Sequence, residues 1–140
     1  MLVVVDANRL ISALLSKGTV FEVFLLNKSL RTIEFIAPEY LFTEVGRNLG
    51  EIVAKTKLSS EEFSKVFEIM KEQIELIPFE DFNKFADEAK QSSPHDKDLQ
   101  YFALAISRSC GLWSDESFRQ QTRVEIFSTG RLLRFLKDEE

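Results

Sequence analysis

Residues Leu2 to Val5 constrain this chain more than any other stretch. Four apolar residues in succession, three of them valine, leave no polar face for solvent. Such a run reads as a strand buried on both faces, the environment of a central parallel strand. It stops at Asp6, after which Leu10, Ile11, Leu14 and Leu15 recur at helical spacing. Asp6 therefore stands where a central strand passes into a helix. In open α/β sheets the ligand crevice lies outside the carboxyl ends of the strands. A carboxylate there has two readings: an N-cap for the next helix, or a group for metal or catalytic work.

The alternation continues down the chain. Ile33 to Ala37, Ile74 to Ile77, Gly111 to Ser114 and Val124 to Phe127 read as four further strands. A helix is expected over Asn8 to Leu15, broken at Lys17-Gly18-Thr19. A second carries Val20, Phe21, Phe24 and Leu25 on its apolar side. Pro38 to Lys55 reads as one long helix with proline at its permitted N-terminal position. Ser59 or Ser60 caps the next, which turns Phe63, Val66, Phe67 and Met70 inward. Pro78 to Ala89 is expected to be helical, and Asp98 to Arg108 is a helix that Gly111 ends. Ser128 begins the last helix, with Leu132, Leu133, Phe135 and Leu136 inward. Strands alternating with helices imply a parallel sheet with right-handed crossovers. The expected fold is a single α/β/α domain over residues 1–137 around a mainly parallel sheet of about five strands, with a polar tail over 138–140.

Composition limits what such a domain does. A net charge of −5 argues against holding nucleic acid by bulk charge. It does not exclude a nucleic-acid enzyme, because cations bound at gathered carboxylates invert the local field. A lone cysteine, Cys110, and a lone histidine, His95, exclude an internal disulfide and a His/Cys zinc site. With no basic n-region before the apolar start, no signal peptide is expected, and no run approaches the roughly 20 apolar residues of a membrane helix. A reducing, cytoplasmic setting is the expectation. Phosphate-binding and dinucleotide glycine motifs and the nucleophile elbow are absent from the sequence.

The acids carry the chemistry. Glu44 borders the stripe formed by Leu41, Val45, Leu49 and Ile52. In Ser93-Pro94-His95-Asp96, Ser93 suits an N-cap, Pro94 the first helical position, and Asp96 the return bond of a capping box. Asp98 shares a face with Phe102 and Ala105, where a carboxylate is costly unless it is paired or binds a cation. Asp115 follows the fourth strand as Asp6 follows the first. If those strands are neighbours, the two acids meet at the switch point, within reach of Asp98 and Glu44. Four carboxylates in one crevice repel unless cations are present, and hard oxygen ligands suit Mg²⁺ or Mn²⁺.

The segments VVVDANRLISAL, PEYLFTEVGRNL, DLQYFALA, GLWSDESF and VEIFSTGRLL together resemble the PIN domain nucleases, in order and spacing, over nearly the whole chain. The family's acidic quartet maps onto Asp6, Glu44, Asp98 and Asp115, with Asp6, Asp98 and Asp115 as metal ligands. Asn8 and Ser114 match the small polar positions beside the first and last acids. The family's last motif usually has one more residue before its acid, so Glu116 replaces or assists Asp115, and Asp96 is near enough to support Asp98. The resemblance implies a metal-dependent endoribonuclease using one or two Mg²⁺ or Mn²⁺ ions and leaving a 5′-phosphate and a 3′-hydroxyl. Arg9, Lys17, Arg47 and Arg119 are candidate RNA contacts. Many members are toxins silenced by a small antitoxin, and many are homodimers; an antitoxin and a dimer are expected on that ground alone. The alternatives are a silent PIN-like module that binds RNA or protein, and a phospho-acceptor receiver. The receiver lacks support because Phe127 leads to Ser128 and Thr129, with no lysine.

Overall fold

The computed structural model describes residues 1–92, 95–116 and 121–138. Five parallel strands form one sheet in the order β3-β2-β1-β4-β5. They are β1 (Leu2–Val5), β2 (Glu34–Pro38), β3 (Ile74–Ile77), β4 (Gly111–Trp113) and β5 (Ile126–Phe127). The apolar opening run is the central strand. Val3 pairs with Phe35 of β2 and Gly111 of β4, and Val5 with Trp113. Val3, Val4 and Val5 are fully buried, as a strand covered on both faces requires.

The connections set the layers. α1 (Ala7–Ser16) and α2 (Gly18–Leu30) link β1 to β2; α3 (Tyr40–Arg47), α4 (Leu49–Lys55) and α5 (Ser60–Gln73) link β2 to β3. α1, α2 and α5 pack against one another. The chain then reverses direction across the sheet. α6 (Ala86–Ser92) pairs with α7 (Leu99–Arg108), and α7 lies against β1, β2 and β4. α8 (Thr129–Leu136) follows β5 and packs on α2. The chain order therefore changes direction between β1 and β4, and the crevice at their carboxyl ends is the switch point. The core is dense with aromatics: Phe24 of α2, Phe35 of β2 and Trp113 of β4 meet with ring centroids 5.0–5.5 Å apart. Among the described residues no single helix is long and apolar enough to cross a membrane.

Several local expectations change. The long helix from Pro38 is two helices. Pro38 closes β2 instead, and α3 ends at Asn48, whose φ of −100° and ψ of 0° leave the helical region. Asn48 Nδ2 donates to the Glu44 carbonyl at 2.8 Å, competing for a backbone acceptor of the helix. The break re-phases α4, so Ile52 is buried while Leu49 and Val53 face solvent. Pro78 to Phe85 forms two 3₁₀ turns, with the buried Phe82 between them at φ −137°. Leu25 and Phe135 are exposed. In α2 the inward positions include Asn27, which is buried because its amide bonds Ile33 O at 2.9 Å and Gln73 Oε1 at 3.0 Å while its carbonyl accepts Thr32 and Ile33 N–H. Ser59 caps α5 in a reciprocal capping box with Glu62. The expected cap at Ser93 and Pro94 and the expected anchor Phe118 lie outside the described residues.

Gly111 does not end α7. Ser109 takes the left-handed conformation there, at φ 51°, and Gly111 opens β4. A Cβ on Gly111 would lie 2.3 Å from Phe127 Cε2 and 3.0 Å from the Glu125 carbonyl oxygen. Gly111→Ala should therefore destabilise the fold by about 1–3 kcal/mol through overpacking. Thermal melting should show a fall of several degrees, and Phe127→Leu in the same chain should recover part of it. No recovery in the double variant would place the conflict at the Glu125 backbone rather than at the ring.

Candidate functional site

Asp6 sits at the carboxyl end of β1 and is 5% exposed. Its Oδ1 accepts the Asn8 backbone N–H at 2.6 Å, so it is the N-cap of α1. Ser114, directly beyond β4, hydrogen-bonds the same carboxyl. Burial nevertheless pushes the Asp6 pKa above the ordinary range, and the charge of Glu116 adds to it; Asn8, Arg9 and Ser114 oppose the shift.

Asp98 enters from the other layer. It ends a 3₁₀ turn, Asp96–Asp98, that feeds α7, and it is buried while Asp96 is exposed. Its Oδ2 is buried without a hydrogen-bond partner among the described residues. Burial, with the charges of Glu116 and Asp6, pushes the Asp98 pKa up to about 6 against the pull of Lys97 and His95. Glu44, half-buried on α3, accepts a hydrogen bond from the Tyr101 hydroxyl of α7. Burial raises its pKa as well; Tyr101 opposes this, Asp6 adds to it, and Lys97 and Arg47 oppose it. Asp6, Glu44, Asp98 and Glu116 are thus one electrostatic group. Glu116 is tied to it by a 3.4 Å bond from Asn8 Nδ2, and its backbone N–H donates to Ser114 Oγ at 3.2 Å.

Asp115 lies at the same end of the sheet but is turned elsewhere. Its Oδ1 accepts the Thr129 backbone N–H at 2.9 Å and its Oδ2 the Thr129 hydroxyl at 2.7 Å. The Arg9 guanidinium closes an ion pair on the same Oδ2. Thr129 in turn accepts from Trp113 Nε1 at 3.1 Å. Asp115 thereby joins the first turn of α8 to α1, and the acid facing Asp6 and Asp98 is its neighbour. Asp115 and Glu116 lie in the bend beyond β4, and their separate partners, Thr129 and Arg9 for one and Asn8 for the other, part the two carboxylates.

The remaining candidates divide. Lys17 is at the far end of α1, about 15 Å of helix from Asp6, and bonds Glu62. Arg9 pairs with Asp115 through Nη1 while its buried Nε has no hydrogen-bond partner among the described residues, Arg47 remains beside Glu44, and Arg119 lies outside the described residues. Sequence reasoning missed Tyr101 and Lys97. Tyr101 had a readable signal, since it stands three residues after Asp98 on an otherwise apolar helix and shares its face.

A divalent cation fits this chemistry. The groups are hard oxygen donors, three have raised pKa values, and one buried oxygen lacks a partner. Among the described residues no three of them are gathered tightly enough to form a finished metal cage.

A doubly wound parallel domain with an acidic crevice at its switch point is the class defined by fold and site. The chain belongs to the PIN domain family, which matches residues 4–128. The fold is similar to that of a chain in the crystal structure of VapBC2 from Rickettsia felis bound to a DNA fragment from their promoter. The TM-score is 0.61, with 15% identity, over 91% of this chain and 98% of that one. No curated protein matches the chain. PIN domains are generally metal-dependent nucleases.

The raised Asp98 pKa makes a stability prediction. A carboxyl that binds its proton more tightly folded than unfolded favours the fold below its unfolded value, 3.8, and that contribution is lost as pH rises through about 6. In EDTA, Asp98→Asn should melt higher than the parent at about pH 7 and show a flatter pH dependence between about 4 and 6. Identical pH profiles for the two proteins would refute the assignment.

Proposed function

We propose that this protein is a metal-dependent endoribonuclease that hydrolyses RNA phosphodiester bonds. The observation that carries the reading is the set of four electrostatically coupled acids, Asp6, Glu44, Asp98 and Glu116, at the switch point of a PIN fold. Asp6, Asp98 and Glu116 would hold Mg²⁺ or Mn²⁺; Asp115 is assigned instead to holding Arg9 and the start of α8. When bound, the cation supplies electrostatic stabilisation of the charge that builds on the phosphoryl oxygens and the attacking oxygen.

The protein's own groups do the rest. Asn8 N–H and Ser114 fix the Asp6 carboxylate and leave it little rotational freedom. Tyr101 donates to Glu44 Oε1, which leaves Oε2 to accept a proton from the attacking water. The raised Glu44 pKa suits that role, because a stronger base takes the proton more readily near neutral pH. Water attack at phosphorus with loss of the 3′ oxygen leaves a 5′-phosphate and a 3′-hydroxyl.

The likeness in fold to a VapBC2 chain supports a place among the family's toxins, with a small antitoxin as partner. A homodimer and a cytoplasmic setting belong to the same reading.

Cleavage of a labelled single-stranded RNA should require Mg²⁺ or Mn²⁺ and stop with EDTA. Asp98→Asn and Glu116→Gln should each lower the rate by about a hundredfold or more, the scale of losing one electrostatic contributor at the reacting centre. Asp115→Asn should cost much less and lower thermal stability instead. If Asp115→Asn is silenced while Glu116→Gln cuts normally, the ligand assignment returns to Asp115. Absence of metal-dependent cleavage by the parent would favour the silent binding module.

A further inference from the structure

One face of α3 carries more than Glu44. Tyr40, Glu44 and Arg47 stand at i, i+4 and i+7, within about 60° of one another around the helix. Because Glu44 meets Tyr101 and feels Asp6, this is the face turned to the acidic crevice. Tyr40 and Arg47 therefore flank Glu44 on the crevice wall. They also touch each other. Arg47 Nη1 donates to the Tyr40 hydroxyl at 3.0 Å, and the guanidinium carbon is 5.6 Å from the ring centroid. The hydrogen bond holds the guanidinium at the hydroxyl edge, and 5.6 Å is near the outer limit of a cation–π contact. The contact fixes the ring without covering its face, and it engages one of five guanidinium N–H donors.

We propose that Tyr40 and Arg47 form a subsite beside the acidic crevice that takes one unpaired RNA base on the Tyr40 ring and an adjoining phosphate on Arg47. The inference rests on the ribonuclease reading of the crevice and adds where the strand is held. Aromatic rings bind bases through their π-faces, which only an unpaired nucleotide presents to a side chain. A chain with net charge −5 must find phosphate contacts in local cations, and Arg47 is exposed at the crevice edge. Lys97 supplies a second cation at this wall, its charge reaching both Glu44 and Asp98. Tyr40 is partly exposed, as a stacking platform requires, and its hydroxyl bond to Arg47 removes rotational freedom before binding.

The test separates binding from cutting. Fluorescence anisotropy in EDTA should compare the parent, Tyr40→Phe, Tyr40→Ala and Arg47→Ala on a labelled unstructured RNA and on its duplex. Tyr40→Ala should weaken binding of the single strand about tenfold to a hundredfold and leave the duplex unchanged. Tyr40→Phe, which keeps the ring, should stay within a few-fold of the parent. Arg47→Ala should reduce the slope of log affinity against log salt by about one contact. Parent-like binding by Tyr40→Ala, an equal loss on the duplex, or no single-strand binding by the parent would each overturn the subsite. Mn²⁺-dependent cleavage, measured in parallel, keeps the two readings apart. A parent that cuts while Tyr40→Ala binds normally sinks the subsite alone. A parent that never cuts while Tyr40→Ala loses binding sinks the nuclease reading alone.

Discussion

Like-charge repulsion in a poorly hydrated crevice is the constraint on which this structure turns. Asp6 and Asp98 are 5% and 7% exposed, and both feel Glu116. Removing carboxylates from water costs free energy unless hydrogen bonds or cations replace the lost solvation. The surroundings are arranged as partial replacements. Asn8 and Ser114 serve Asp6, Tyr101 serves Glu44, and the Lys97 charge favours the ionised form of both Glu44 and Asp98. The compensation is incomplete at Asp98, whose Oδ2 has no hydrogen-bond partner among the described residues. That deficit is what the proposed cation would make good.

The sheet determines which residues share the deficit. Placing β4 beside β1 sets Gly111 against Val3 and Trp113 against Val5, so the ends of the two strands coincide. The close approach of Phe127 to Gly111 fixes how β5 joins that edge. α7 crosses β1, β2 and β4 from the opposite layer to α1, which lets Asp98 reach an end that Asp6 defines from below. The site thus draws on both layers and on the sheet between them.

Much of this was legible in the sequence because it rests on burial. A four-residue apolar run with three valines, stopped by an acid and followed by a helical pattern, reads as a central strand, and a carboxylate on the inward face of an apolar helix stands out against the cost of burying it. The choice between Asp115 and Glu116 was not legible. Both acids lie in a bend beyond β4, where no strand period tells which way a carboxylate points, and the partner that claims Asp115 is Thr129, fourteen positions on. The break at Asn48 is similar, since it depends on a side chain competing with the helix backbone. The inward Asn27 was hidden because its amide groups are satisfied by residues from a turn and from α5.

The bond between Trp113 and Thr129 gives the molecule an optical property. Trp113 is the only tryptophan of the chain and is fully buried. Its indole N–H bonds a hydroxyl that itself bonds Asp115, which holds Arg9. Indole emission responds to the charge and polarity around the ring. The chain therefore carries an intrinsic fluorophore hydrogen-bonded through Thr129 to the Asp115–Arg9 pair, so its emission follows the seating of α8 against β4 without any attached dye.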